Sequence, residues 1–373
     1  MPDFSLLDSL IEQSYPSVCP AVQIEVRQNG QTLYSRAFGW LDPETRQRPT
    51  QLDSCFDLAS VTKLFTTTAF MRLVEAGKVS LDQPVNTVLP EFGGQRPIRP
   101  YEDPLNWGKT VSASESGGEV DAGLVTFRNL LVHNSGLPAW RPFKDQPDAA
   151  NARQMALETF FAYPTGEKII YSDVGLILLG MSIERLTGQP LDEAIRASVT
   201  EPLGLKLTRF LPIDKQPHDT SNLAPTEYCV WRNRRILGEV HDESAARLGG
   251  VAGHAGLFSC ASEVARFGEI FLNGGAPLLR PATVAEMTHL QAEFGDIRRG
   301  LGFALWSPDP EASSNPFSPQ TFGHTGFTGT CVWMDPQRNL VVALLTNDVY
   351  AGRVGRGIAP LRVKIHRALV EII

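Results

Sequence analysis

Long apolar runs are missing from these 373 residues. None approaches the ~18 residues that a membrane-spanning helix needs, which excludes a membrane span on pattern. Cysteine is scarce. Cys19, Cys55, Cys229, Cys260 and Cys331 are scattered, odd in number and free of Cys-x-x-Cys pairs, which argues against a disulfide framework or a zinc site and for reduced thiols. The seven histidines form no His-x-x-x-His pair, so neither a metal nor another cofactor is expected. An excess of positive charge is also lacking. Lys and Arg number 34 against 41 Asp and Glu, a net charge of −7, and this disfavours nucleic acid and anionic membranes as partners. Met1-Pro2-Asp3-Phe4-Ser5 has neither the basic start nor the apolar core of a secretory signal, so the expected location is cytoplasmic.

What is present is an ordinary globular composition, 42% hydrophobic and 20% charged, sufficient for a substantial core. Ser60-Val61-Thr62-Lys63 opens a run rich in helix formers, Leu64 to Ala76, which closes at Gly77. A spacing of three puts both side chains on one helix face, where a deprotonated lysine can take the serine proton. This tetrad is a known signature of penicillin-binding proteins and β-lactamases. Alone it is weak, because a capping serine beside a solvated lysine gives the same pattern.

Two candidate partners follow. Tyr171-Ser172-Asp173 lies between a strand-like Glu167–Ile170 and an apolar helix-like run, Val174–Leu186. His324-Thr325-Gly326 precedes Phe327-Thr328-Gly329 and a strand-like stretch, Thr330–Met334. Glycine at 326 would let a substrate approach the strand backbone. Each triplet has a decoy. Tyr101-Glu102-Asp103 sits in a Pro- and Gly-rich loop, and His254-Ala255-Gly256 leads into a turn and a helix rather than a strand. Context favours Tyr171 and His324.

With these three motifs the chain resembles class C β-lactamases and their relatives, serine hydrolases that include DD-peptidases and carboxylesterases. Phe56–Lys63, Leu130–Leu137 and Gly249–Ser259 also resemble family signatures, and the likeness covers roughly residues 18 to 372. It implies an α/β (α+β) fold: an antiparallel five-stranded sheet flanked by helices, with an all-helical lobe. It further implies Ser60 as acylated nucleophile, and Lys63 and Tyr171 as a coupled general base and proton donor. The backbone N–H groups of Ser60 and Phe327 would form the oxyanion hole. Asp173, His324, Thr325 and Gly326 would line the substrate site. The expected function is hydrolysis of an ester, amide or peptide through an acyl-enzyme, with a small molecule, a peptide or a cell-wall fragment as substrate. The alternative is a non-catalytic member that binds muropeptides or a protein partner.

Two departures from the family pattern bear on substrate. Asp173 stands where the family has Asn, and a carboxylate cannot donate to an acylamido carbonyl. If close, it would favour a protonated Lys63 and shift base duty towards Tyr171. His324 stands where β-lactamases have Lys, and a neutral imidazole grips a substrate carboxylate less firmly than a permanent cation. Both changes favour esters over cephalosporins.

The rest of the chain supplies the frame. A helix over Phe4–Glu12 precedes two strands, Ala21–Arg27 and Thr32–Gly39, around the hairpin signal Asn29-Gly30. Residues 93–123 have no clear period, which suggests an exposed insertion beside the cleft. Helical segments dominate from Thr126 to about Leu272. Strands return at Leu301–Trp306, Thr330–Met334 and Leu340–Thr346, and a helix over Gly355–Val370 closes the chain. One catalytic domain is expected, with an α/β lobe from 1–59 and 300–373 and a mainly helical lobe from 60–299. The glycine-rich block 249–256 lacks the strand and Lys-Ser/Thr ending of a phosphate loop. His241 and Asp242 are cleft-rim or structural candidates. His133 and Asn134 suit a helix end, and Trp140, Phe143 and Trp231 suit either a substrate wall or a core edge.

Overall fold

A computed structural model describes residues 2–103, 106, 108–113, 117–354 and 356–373. Its centre is an antiparallel sheet drawn from both ends of the chain. Strands β1 (Ala21–Gln28) and β2 (Gln31–Gly39) come from the start. Three short strands, β3 (Ala292–Phe294), β4 (Ile297–Arg299) and β5 (Ala304–Leu305), lead into β6 (Phe322–Thr325), β7 (Cys331–Asp335) and β8 (Leu340–Thr346). The order is β3-β4-β5-β6-β7-β8-β1-β2. The expected five strands are therefore extended at one edge by β3 to β5. Asn29 and Gly30 both have positive φ and close the β1–β2 hairpin, with Gln28 opposite Gln31, as the dipeptide signals.

Alternation in the central strands divides the core. Val22, Ile24 and Val26 of β1 and Leu340, Val342 and Leu344 of β8 face one side. There they pack against α1 (Ser5–Ser14) and α5 (Ile358–Ile372) through Leu7, Ile11, Ile365 and Leu369. Val341, Ala343 and Leu345 face the other side and join the larger core with Phe267 of α4 (Ala261–Leu272). A period of two on strands packed between helical stripes is what produces two cores on one sheet. The first residue of the closing helix as expected, residue 355, lies outside the described residues.

The middle of the chain holds α2 (Thr62–Glu75) and α3 (Asp173–Thr187), both packed into the larger core. Two strand expectations fail here. Glu167–Ile170 forms no strand, because its backbone serves the segment beneath it: Ile170 N–H donates to His133 O at 2.8 Å and Glu167 N–H to Pro164 O at 3.2 Å. Leu301–Trp306 shrinks to Ala304–Leu305, since Leu301 and Gly302 donate instead to Met287 O and Leu131 O. Nor is 93–123 structureless. Gln95–Pro97 pairs with Glu119–Asp121, and Tyr101–Glu102 with Thr110–Val111. Arg96, 8% exposed, pins the segment by donating to the carbonyls of Leu157 and Thr159. Residues 104, 105, 107 and 114–116 of that stretch lie outside the described ones. Among the described residues, no helix is long and apolar enough to cross a membrane.

Candidate active site

Ser60 lies in a helical turn, Ala59–Val61, that leads directly into α2. One turn on, Lys63 Nζ donates to Ser60 Oγ at 2.8 Å. The same ammonium donates to His254 O at 3.0 Å and faces Asp173 Oδ1 at 2.8 Å. Three acceptors around one nitrogen suit the charged form. Burial opposes that charge most strongly, but Asp173 and Tyr171 together outweigh it and raise the Lys63 pKa above its ordinary value.

Tyr171 reaches the same place from the start of α3. Its hydroxyl oxygen is enclosed and has no well-formed hydrogen bond among the described residues. It is nevertheless near enough to Lys63 and Ser60 for both to bear on its proton. Burial pushes the phenol pKa up, with Lys63 pulling the other way. The resting site thus pairs a lysinium with a neutral phenol. His133 supports the tyrosine. Its ring stands 4.7 Å from that of Tyr171, and its Nδ1 accepts from Ser172 N–H at 3.1 Å. His133 also has φ +62°, so it ends the helix before it, as expected, while carrying this second task.

The segment just before Ser60 and the turn after Gly326 are clamped together. Thr328 Oγ1 donates to Asp57 O at 2.6 Å and Thr330 Oγ1 to Leu58 O at 2.9 Å. A side chain at 326 would meet Thr330 Oγ1 at 2.1 Å and Leu58 O at 2.5 Å, so only glycine fits. Buried Asp57 accepts from Ala59 N–H at 2.8 Å and His241 N–H at 2.6 Å. The first of these holds Ala59 at φ +45°, a conformation that costs a residue with a Cβ about 1–2 kcal/mol. Nothing local in the sequence marks Asp57 for this work.

Two cavities meet at Ser60, Tyr171 and Phe327. One, about 590 Å³, is lined by Glu102, Asp103, Asp145, Asp173, Asp242 and Glu243, with Trp140, His241, His254 and Arg353. The other, about 520 Å³, is lined by His324, Thr325, Gly326, Arg299, Arg356 and Arg362. Acidic and basic walls therefore flank Ser60.

His324 is placed differently from its expected role. Its Nδ1 lies 2.7 Å from Thr325 O, an acceptor, so that nitrogen carries the proton. The buried Nε2 is left as a bare lone pair with no partner among the described residues. Burial, with Lys63 and Arg299 nearby, pushes its pKa down to about 3. A neutral imidazole offering a lone pair does not attract a carboxylate. Arg299, which sequence reasoning missed, is the fixed cation on that wall, with its guanidinium 5.4 Å from the Tyr171 ring centre. Arg356 adds a second, stacked 4.6 Å from the Phe327 ring and donating to the Phe327 carbonyl.

Both decoys line the acidic cavity in other capacities. Glu102 and Asp103 are on its wall. His254 supplies the carbonyl that holds Lys63, and its Nε2 lies 2.9 Å from Asp242 Oδ1. His241 pairs with Glu227 at 2.8 Å. Trp140 lines the cavity, Phe143 is in the core, and Trp231 stacks with Arg232 and Arg247 on the surface.

The profile of the beta-lactamase family matches residues 7–366. The chain belongs to the beta-lactamase family. It is 32% identical over 376 residues to an N-acetylmuramyl-L-alanine amidase of Bacillus subtilis (strain 168), covering 91% of this chain and 80% of the relative. It is 31% identical over 383 residues to a protein of Escherichia coli (strain K12) described as a D-alanyl-D-alanine carboxypeptidase, covering 92% and 82%. Among solved structures it resembles EstCE1, a hydrolase with promiscuous acyltransferase activity (TM-score 0.72, 23% identity, 97% of each chain). It also resembles a penicillin-binding protein homologue from Caulobacter crescentus (TM-score 0.73, 20% identity, 99% and 97% covered). At these identities the two structures bear on fold alone.

Proposed function

We propose that this member of the beta-lactamase family is a serine hydrolase that cleaves an ester, amide or peptide through an acyl-enzyme. The observation that carries the reading is the 2.8 Å contact between Lys63 Nζ and Ser60 Oγ at the junction of two cavities. Once Lys63 is neutral, Ser60 Oγ attacks the substrate carbonyl carbon and its proton passes to the Lys63–Tyr171 pair. The carbonyl electron pair moves onto oxygen, where the N–H groups of Ser60 and Phe327 receive it. Collapse returns that pair and breaks the bond to the leaving group, which takes the proton. Water repeats the sequence to release the acid. The whole chain acts as one catalytic unit in this reading, because Ser60, Tyr171 and His324 come from three distant stretches.

The basic wall suits a leaving group that carries a carboxylate, as a C-terminal peptide bond would, with Arg299 as the principal grip. The relatives described as a carboxypeptidase and an amidase support a cell-wall peptide as substrate. Five buried, unpaired cysteines support a reducing compartment, the cytoplasm. The test is a panel of p-nitrophenyl esters, nitrocefin and D-Ala-D-Ala peptides assayed on one preparation. Turnover of at least one class, abolished in Ser60→Ala, is expected; turnover of none, or turnover that survives the substitution, contradicts the reading.

A further inference from the structure

Beyond the hydrolase reading, on which it rests, we propose that the acidic cavity binds an ammonium group carried by the acyl part of the substrate. Asp173, Asp242 and His254 each offer one atom to a group that spans no more than 4.8 Å. Asp242 accepts from Ala245 N–H at 2.7 Å and lies 2.9 Å from His254 Nε2. Lys63 stands 2.8 Å from Asp173, while Asp242, Glu102 and Glu243 add further carboxylates to the wall of a cavity that opens at Ser60.

An independent observation points to a ligand. His254 is 1% exposed and lines this cavity, yet its Nδ1 has no partner among the described residues. Because a carboxylate only accepts, Nε2 must carry the proton shared with Asp242, and Nδ1 is the ring's remaining polar atom. The two carboxylates accept and cannot donate, and an ammonium presents three N–H donors. The neutral acylamido group for which the family keeps an asparagine donor would find none at Asp173. A divalent ion fits less well, since the Lys63 ammonium already stands 2.8 Å from Asp173 and would repel it.

The site has a consequence for the chemistry. A second cation on Asp173 weakens that carboxylate's hold on the Lys63 proton, so the bound ammonium favours the neutral amine that Ser60 needs. Substrate charge would then both select the acyl group and bring the base into its active state.

The test compares acylation by isosteric ethyl thioesters at pH 7, D-alanyl against isobutyryl and β-alanyl against butyryl, followed by intact mass on a rapid-quench timescale. At least a tenfold advantage is expected for one aminoacyl member over its isostere. Asp242→Asn keeps an oxygen for the Ala245 cap and should bring that ratio towards one. A second readout needs no variant: at saturation, acylation by the favoured aminoacyl thioester should persist to lower pH than acylation by its isostere. Ratios near one in the unsubstituted protein overturn the proposal and leave acyl transfer standing. So does a high ratio that Asp242→Asn does not change, or a ratio that rises above one only when Mg²⁺ or Zn²⁺ is added. No acyl-enzyme from any of the four thioesters overturns both the proposal and the hydrolase reading.

Discussion

Asp173 Oδ1 stands 2.8 Å from Lys63 Nζ, the nitrogen that also donates to Ser60 Oγ. A lysine held this way is protonated at rest and cannot take the serine proton until it loses its own. The expectation that Asp173, if close, would favour a charged Lys63 agrees with this geometry. Tyr171 does not simply inherit the task, because burial keeps its phenol neutral as well. Lys63 and Tyr171 are best treated as one titrating unit whose proton inventory Asp173 sets.

Replacing Asp173 with Asn removes the charge and keeps the size. Because the carboxylate raises the Lys63 pKa, its loss should lower it. The acid limb of the pH–acylation profile is expected to move down. Stopped-flow acylation from pH 5 to 9 measures this. An acid limb that stays in place, or moves up, would show that Asp173 does not control the base.

Lys63→Ala and Tyr171→Phe should each slow acylation by ~10²-fold or more, the usual scale for lost general acid–base catalysis. The double variant should be little worse than the poorer single one. Single-turnover rates on all three variants test this, and multiplicative losses would separate the two residues into independent roles.

On the basic wall, Arg299→Ala should lower kcat/KM for a D-Ala-D-Ala peptide at least tenfold relative to a neutral p-nitrophenyl ester, because only the peptide brings a carboxylate. The expectation of weak carboxylate binding came from His324 alone, and Arg299 changes that balance. Equal losses on both substrates would assign Arg299 to support of Tyr171 rather than to substrate recognition.

The path from sequence to site is uneven, for physical reasons. Ser60 and Lys63 are legible because a helix fixes their spacing, and Asn29-Gly30 because a hairpin turn has a local code. Tyr171 and His324 could be told from their decoys by the apolar helix or strand that follows each. Asp57, Arg299, Asp242 and His254 reach the site only through tertiary contact. Arg299 arrives on β4, a three-residue strand next to the sheet edge with no pattern to announce it, and Asp242 meets Lys63 only through Asp173 and His254. The short strand pairs in 93–123 lack alternation because each strand is two or three residues long, too short for a period to register. Glu167–Ile170 had strand composition, but its backbone donors were already committed elsewhere.

Buried histidines set an acid limit on stability. Burial pushes His324 down to about 3 and His366 down to about 4, below the unfolded value of about 6.5. A folded pKa below the unfolded one means that the unfolded chain binds the proton first. The stabilisation is therefore complete above pH ~6.5 and is lost as pH falls towards the folded values. Each residue should cost about 2 kcal/mol between pH 6.5 and 5. Urea midpoints at the two pH values should differ accordingly, and His366→Gln should narrow the gap. A midpoint that does not fall on acidification would contradict the assignment of neutral buried imidazoles.

The most direct measurement of the central claim is intact mass after exposure to a fluorophosphonate probe. The account predicts a single adduct, located at Ser60 by peptide mapping, absent from Ser60→Ala and slowed in Lys63→Ala. An unmodified protein, or an adduct that persists when Ser60 is replaced, would contradict it.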